Sequence, residues 1–166
     1  MSAGKTHVKA SLALAAGFSI GALMTQDVNL LKCAAGSLAG VMITPDWDVD
    51  KKFVGNKIVK KRLGVFAEII FDTWLKPYKT SFKHGQFGSH FPVYGTFGRL
   101  LYIFLLLIVP FYAVYFLILL SVDYHFNLIY ELLYWVKMLF MSWYTFGLCA
   151  SDFIHFSLDK LTENVD

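Results

Sequence analysis

The stretch FGRLLYIFLLLIVPFYAVYFLILL, residues 97–120, carries a single charged side chain, Arg99, near its start. A run this long and apolar has the length and composition of a segment that crosses a bilayer. In hydrocarbon the backbone must satisfy its own hydrogen bonds, so the run is read as a helix. Residues 126–150 form a second run rich in Leu, Ile, Phe, Tyr and Trp, while residues 8–25 and 28–44 are richer in Ala, Gly and Leu. Each is near the ~20 residues needed to cross a bilayer. With 57% hydrophobic residues, only 16% charged and a mean hydropathy of +0.54, the chain lies outside the range of soluble domains. The expectation is an all-α integral membrane bundle of four transmembrane helices. Residues 1–166 then form one domain, with a polar insert, residues 46–96, between helices two and three.

Finer features follow from the same runs. The first is not read as a signal peptide, because Leu23-Met24-Thr25 offers no small-x-small cleavage site and a second apolar run follows at once. Gly17/Gly21 and Gly36/Gly40 repeat a Gly-x-x-x-Gly spacing near the middle of the first two runs, which predicts a close two-helix hairpin. Pro110 is expected to disturb the third helix. Cys33 and Cys149 lie in apolar runs without CxxC spacing and read as small core residues. Lys32 and Glu131, costly at membrane depth unless paired, both fall toward the non-cytoplasmic side, where a pairing between them is geometrically open.

Four spans place both termini and the insert on one membrane face. Of the 15 Lys and Arg, all but Lys32 and Lys137 fall on that face, and the positive-inside rule makes it cytoplasmic. Within the insert, residues 51–61 read as a basic, mostly solvated loop or interfacial stretch able to touch anionic headgroups, and residues 63–75 as a short amphipathic helix with Glu68 and Asp72 on one side. The basic stretch lacks the interleaved aromatics of a single-strand binder, so no nucleic acid is expected as partner. Membrane lipid is, with a homo-oligomer or a larger membrane assembly as further partners.

On this topology the ionisable residues gather. His7 precedes span one, Asp46 and Asp48 follow span two, His84 and His90 precede span three, and Asp152 and His155 end span four, all on the same face. Asp152 and His155 are three apart on a continued helix and share a side, and Gly85 and Gly88 give the His84–His90 stretch the freedom of a loop. Each residue alone has a plainer role: the aspartates cap turns, and an interfacial histidine is a satisfied polar group. Together they suit one or two divalent ions, zinc first, with manganese or iron as alternatives. Such ions support hydrolysis, with Asp50 or Asp159 as a free carboxylate base and Lys83 or Arg99 meeting a substrate anion. The alternatives are a metal that staples helix ends without catalysis and, less in keeping with a site at one face, a transporter.

The segments SAGKTH, GSLAGVMITPDWDVD, WLKPYKTSFKHGQFGSHFPVYGTFGRLLY and SDFIHFSLD resemble a family of metal-binding integral membrane proteins known mainly from bacteria. That family is similar to the LexA-regulated, membrane-bound metal-dependent hydrolases. The resemblance implies a bacterial cytoplasmic membrane and metal ligation by His7, Asp46, Asp48, His84, His90, Asp152 and His155. One departure is Gly85, where such proteins carry a basic residue; Lys83 or Arg99 would have to replace it in holding an anionic substrate.

Overall fold

The computed structural model describes residues 3–48, 54–81, 91–120 and 128–163, and every element among them is helical. α1 (Ala3–Thr25) ends where Gln26 adopts a left-handed φ of 57°. Asp27 then caps α2 (Val28–Ala39) by accepting from Asn29 N–H at 2.8 Å. A 3₁₀ turn, Pro45–Asp48, leads to α3 (Val54–Ser81). α4 (Pro92–Ile103) starts on a proline suited to the first helical turn. It continues through a π-helical turn (Phe104–Ile108) into α5 (Val109–Leu120). α6 (Leu128–Phe140) and α7 (Trp143–Glu163) complete the order.

The centre of the molecule is α7, against which α1, α2 and α4 all pack. Its closest neighbour is α2. A Cβ on Gly36 would collide with the Tyr144 carbonyl, one on Gly147 with the Cys33 carbonyl, and one on Gly40 with Ser151. Backbones this near require glycine on both helices. The sequence expected the paired Gly-x-x-x-Gly motifs to join α1 to α2. Those helices do pack together, yet nothing lies within 4 Å of a Cβ at Gly17, so the α2 motif serves α7 instead. Cys33 faces Gly147 and Gly40 faces Ser151, so α2 and α7 run in the same direction. Ser11 Oγ meets Ser151 Oγ at 2.7 Å and His7 meets Asp159 at 3.1 Å, so α1 runs against them. α4 is antiparallel to α7 too, with Phe91 against Phe156 and Arg99 against Asp152.

Several span expectations change. α2 has 12 residues and ends at Ala39, not residue 44; at ~1.5 Å per residue it covers about 18 Å, short of a ~30 Å hydrocarbon core. The fourth run is two helices, because Ser142 caps α7 by accepting from Thr145 N–H at 3.3 Å. Among the described residues, two helices, Lys5–Thr25 and Pro92–Ile118, are long and apolar enough to cross a membrane. The disturbance expected from Pro110 takes the form of the π turn, in which Val109 N–H bonds to the Phe104 carbonyl. Lys32 and Glu131 do not pair: Lys32 donates to Asn29 at 3.1 Å and Glu131 accepts from Tyr112 at 3.4 Å, each finding a nearer partner.

The insert is helical from Val54, where a loop or interfacial stretch was expected; Lys57, Lys60 and Lys61 are exposed as that reading had them. α3 is a hairpin: Gly64, at φ 90° and ψ 176°, turns the chain back on itself in a conformation that only glycine adopts readily. Asn56 donates to Asp72 at 3.2 Å and Lys60 lies 3.7 Å from Glu68, pairs placed symmetrically about that turn. The base of the hairpin closes on the 3₁₀ turn through Trp47, Leu75 and Tyr78, all buried, with Trp74, Tyr102 and Ile103 around them.

Candidate metal centre

Two helix ends and the 3₁₀ turn converge on one spot. His7 comes from the first turns of α1, His155 and Asp159 from the last turns of α7, and Asp46 from the turn that follows α2. The turn holds Asp46 in place because Trp47 beside it is 2% exposed and donates its indole N–H to the Met42 carbonyl at 2.6 Å. His155 and Asp159 are one turn apart on α7 and so share a face.

The donor atoms are close. His7 Nε2 lies 3.1 Å from Asp159 Oδ1, and His155 Nε2 lies 3.5 Å from Asp159 Oδ2 and 3.4 Å from Asp46 Oδ1. The two imidazole rings are 3.7 Å apart between centroids, tilted by 42°. One ligand atom from each of His7, His155 and Asp159 falls within 4.8 Å of the others. Two ligands of a tetrahedral ion with ~2.0–2.1 Å bonds stand about 3.4 Å apart, so these separations suit a shared ion with little rearrangement. His7 Nδ1 is buried without a hydrogen-bond partner among the described residues. Two imidazoles and a carboxylate fit a divalent cation of the zinc, manganese or iron type. A cavity of about 10 Å³ adjoins them, lined by His7, Ser11, Thr44, Asp46 and His155 among others. That volume is at the lower limit for one water.

Asp152 is placed elsewhere. It was expected to ligate metal with His155; instead its carboxylate, 1% exposed, accepts from the Arg99 guanidinium and the Thr96 hydroxyl, both fully enclosed. Burial raises the Asp152 carboxyl above the usual carboxylate range, against the opposing pull of Arg99, Thr96 and His155. Arg99 was expected to meet a substrate anion. At 0% exposure and bonded to Asp152, it has no surface to offer one. Asp48 is also enclosed, 3% exposed, and lies outside the His7–His155–Asp159 group. Its charge and that of Asp152 act on buried Tyr78, whose phenol is raised by desolvation against the pull of Arg99. Asp159, expected as a free base, is the carboxylate between the two histidines. The signal was available: Asp159 stands four residues after His155, on the face that the Asp152–His155 spacing already defined. His84, His90, Lys83, Gly85 and Asp50 lie outside the described residues.

An all-helical chain with a His/His/Asp cluster at its helix ends belongs among metal-binding proteins by its chemistry. Residues 2–166 match the family described as Uncharacterized metal-binding protein (DUF2227), and the chain belongs to that family. No curated protein and no solved structure matches it.

Proposed function

We propose that the chain is an integral membrane protein that holds a divalent ion, zinc by ligand chemistry, on His7, His155 and Asp159 at its cytoplasmic face. In this reading it is a metal-dependent hydrolase of a phosphoester or lipid-derived substrate. The observation that carries the proposal is the three-residue ligand group beside a small cavity with Asp46 in its wall. Three protein ligands with a position left for water is the pattern of catalytic zinc, whereas structural zinc is closed by four. A bound divalent ion supplies Lewis acidity and makes a coordinated water a stronger acid. Asp46 Oδ1, 3.4 Å from His155 Nε2, is placed to take a proton from a water in that cavity. His84 and His90 add ligands in this reading, either to the same ion or to a second. His90 directly precedes Phe91, whose ring packs 6.2 Å from Phe156, the neighbour of His155.

Membrane embedding is supported by Pro92–Ile118, whose 18-residue apolar window has a mean hydropathy of 2.5 and no part buried within the molecule. The cytoplasmic assignment rests on the Lys/Arg asymmetry.

A second reading, the metal as a staple, is favoured by the size of the cavity, which admits a water but no substrate. Elemental analysis of the purified protein and of its His155→Ala and Asp46→Asn variants, together with assays on activated phosphodiesters and esters, separates the two. Hydrolysis predicts metal in the wild type, its loss in His155→Ala, and retained metal with lost turnover in Asp46→Asn. Metal that supports stability while no substrate turns over favours the staple; a wild type without metal overturns both.

A further inference from the structure

The hairpin of α3 carries a surface that the metal centre does not use. Around the Gly64 turn, Leu63, Val65, Phe66, Ile69 and Ile70 are each 54–76% exposed. On the arm leading into the turn, Lys57, Lys60, Lys61 and Arg62 are all exposed. The acid nearest the turn, Glu68, is 3% exposed and pairs with Lys60 at 3.7 Å, so the charges that count at this surface are those of Lys57, Lys61 and Arg62. Asp72, farther along, is held by Lys79 at 2.6 Å and by Asn56. The tip therefore joins an uncovered apolar cap to a cluster of like charges.

We propose that this tip is an interfacial anchor that inserts into an anionic bilayer. Leu63, Val65, Phe66, Ile69 and Ile70 enter the acyl boundary, and Lys57, Lys61 and Arg62 stand among the lipid phosphates. Apolar residues flanked by Lys and Arg gain from both terms at such a surface, since the long basic side chains reach the headgroups while the neighbouring apolar ones are buried. The charge argues against a second copy as occupant, because two such tips in contact would oppose cations of one sign. The inference rests on the membrane reading above and extends it to a segment outside the spans.

The test uses full-length protein in vesicles, with Cys33 and Cys149 replaced by alanine and an environment-sensitive dye on Phe66→Cys or, as a reporter of the long apolar helix, on Leu106→Cys. Vesicles contain phosphatidylcholine alone or with phosphatidylglycerol, each with brominated lipid as quencher. With phosphatidylglycerol, the Phe66 dye is expected to shift to the blue and be quenched. That quenching should fall at least about twofold in phosphatidylcholine alone, in high salt, or in a Lys57→Gln/Lys61→Gln/Arg62→Gln variant, which leaves the Lys60–Glu68 pair intact. The Leu106 dye should be quenched in both lipids. A Phe66 dye that stays in water while the Leu106 dye is quenched overturns the anchor and leaves the membrane reading standing. Failure of both dyes to quench overturns both, and self-association of the Phe66 dye between copies, in place of lipid quenching, overturns the anchor in favour of a protein contact.

Discussion

The residue that most changes role between sequence and structure is Asp152. Its spacing to His155 places the two on one helical face, and spacing alone cannot say what lies opposite. Arg99, 53 residues away in sequence, claims it. Removing one partner of an enclosed ion pair leaves an uncompensated charge, so Arg99→Met is expected to cost about 3–5 kcal/mol in denaturant unfolding, with Arg99→Met/Asp152→Asn recovering much of it. The pH dependence has a defined sign. Because the folded carboxyl is raised above its unfolded value, the stability that Asp152 contributes is complete below ~3.9 and is lost as pH rises through the folded pKa. Without Arg99 the opposing pull weakens, so the stability of Arg99→Met should fall more steeply with rising pH than that of the wild type. Stability profiles that stay parallel from acid to neutral pH would sink this account. His7, Asp46 and His155 were legible as a set because each sits at the end of an apolar run. Asp159 was legible as a carboxylate one turn past His155, but its contact with His7 was not, since nothing in a sequence says that α1 brings His7 down beside it.

At the scale of elements, the glycines separate what a motif can tell from what it cannot. Gly-x-x-x-Gly announces that backbones come close, and the structure supplies the partner: α7, which answers with Gly147. Gly147→Ala is expected to cost at least about 1–3 kcal/mol through overpacking. It should also lower metal content, because pushing α7 away from α2 moves His155 and Asp159 with it. Gly17→Ala, with nothing within 4 Å of the new methyl, should leave metal content unchanged and gain about 0.5–1 kcal/mol from helix propensity. Equal losses in the two variants, read by thermal unfolding in detergent and by elemental analysis, would contradict the crossing described. Gly64→Ala tests the α3 hairpin in the same way: a side chain at φ 90° and ψ 176° is expected to cost about 1–3 kcal/mol although the site is exposed. The basic stretch before Gly64 escaped recognition as a helix because its partner is the second arm of the same hairpin, a tertiary contact with little periodic signature.

For the molecule as a whole, the apolar runs gave away an all-helical fold, while the number of long apolar helices was less legible, because run length does not reveal caps such as Ser142 or an early end such as Ala39. The topology proposed above puts the metal end and the α1–α2 turn on opposite membrane faces. α1 has 23 residues, about 35 Å at ~1.5 Å per residue, which matches a bilayer core with its edges. His7 lies at one end of it and exposed Gln26 just past the other. Exposed Lys76 lies on α3, whose first residue, Val54, lines the cavity beside His7. In a background with Cys33 and Cys149 replaced by alanine, Gln26→Cys is expected to react with an impermeant maleimide only from outside sealed cells, and Lys76→Cys only after the membrane is opened. Labelling of both from the same side would mean that α1 does not cross, and the positive-inside orientation of the metal centre would fall with it. The opposite pattern, Lys76 outside and Gln26 inside, would keep the crossing and invert the face, moving any hydrolysis at His7, His155 and Asp159 to the external surface.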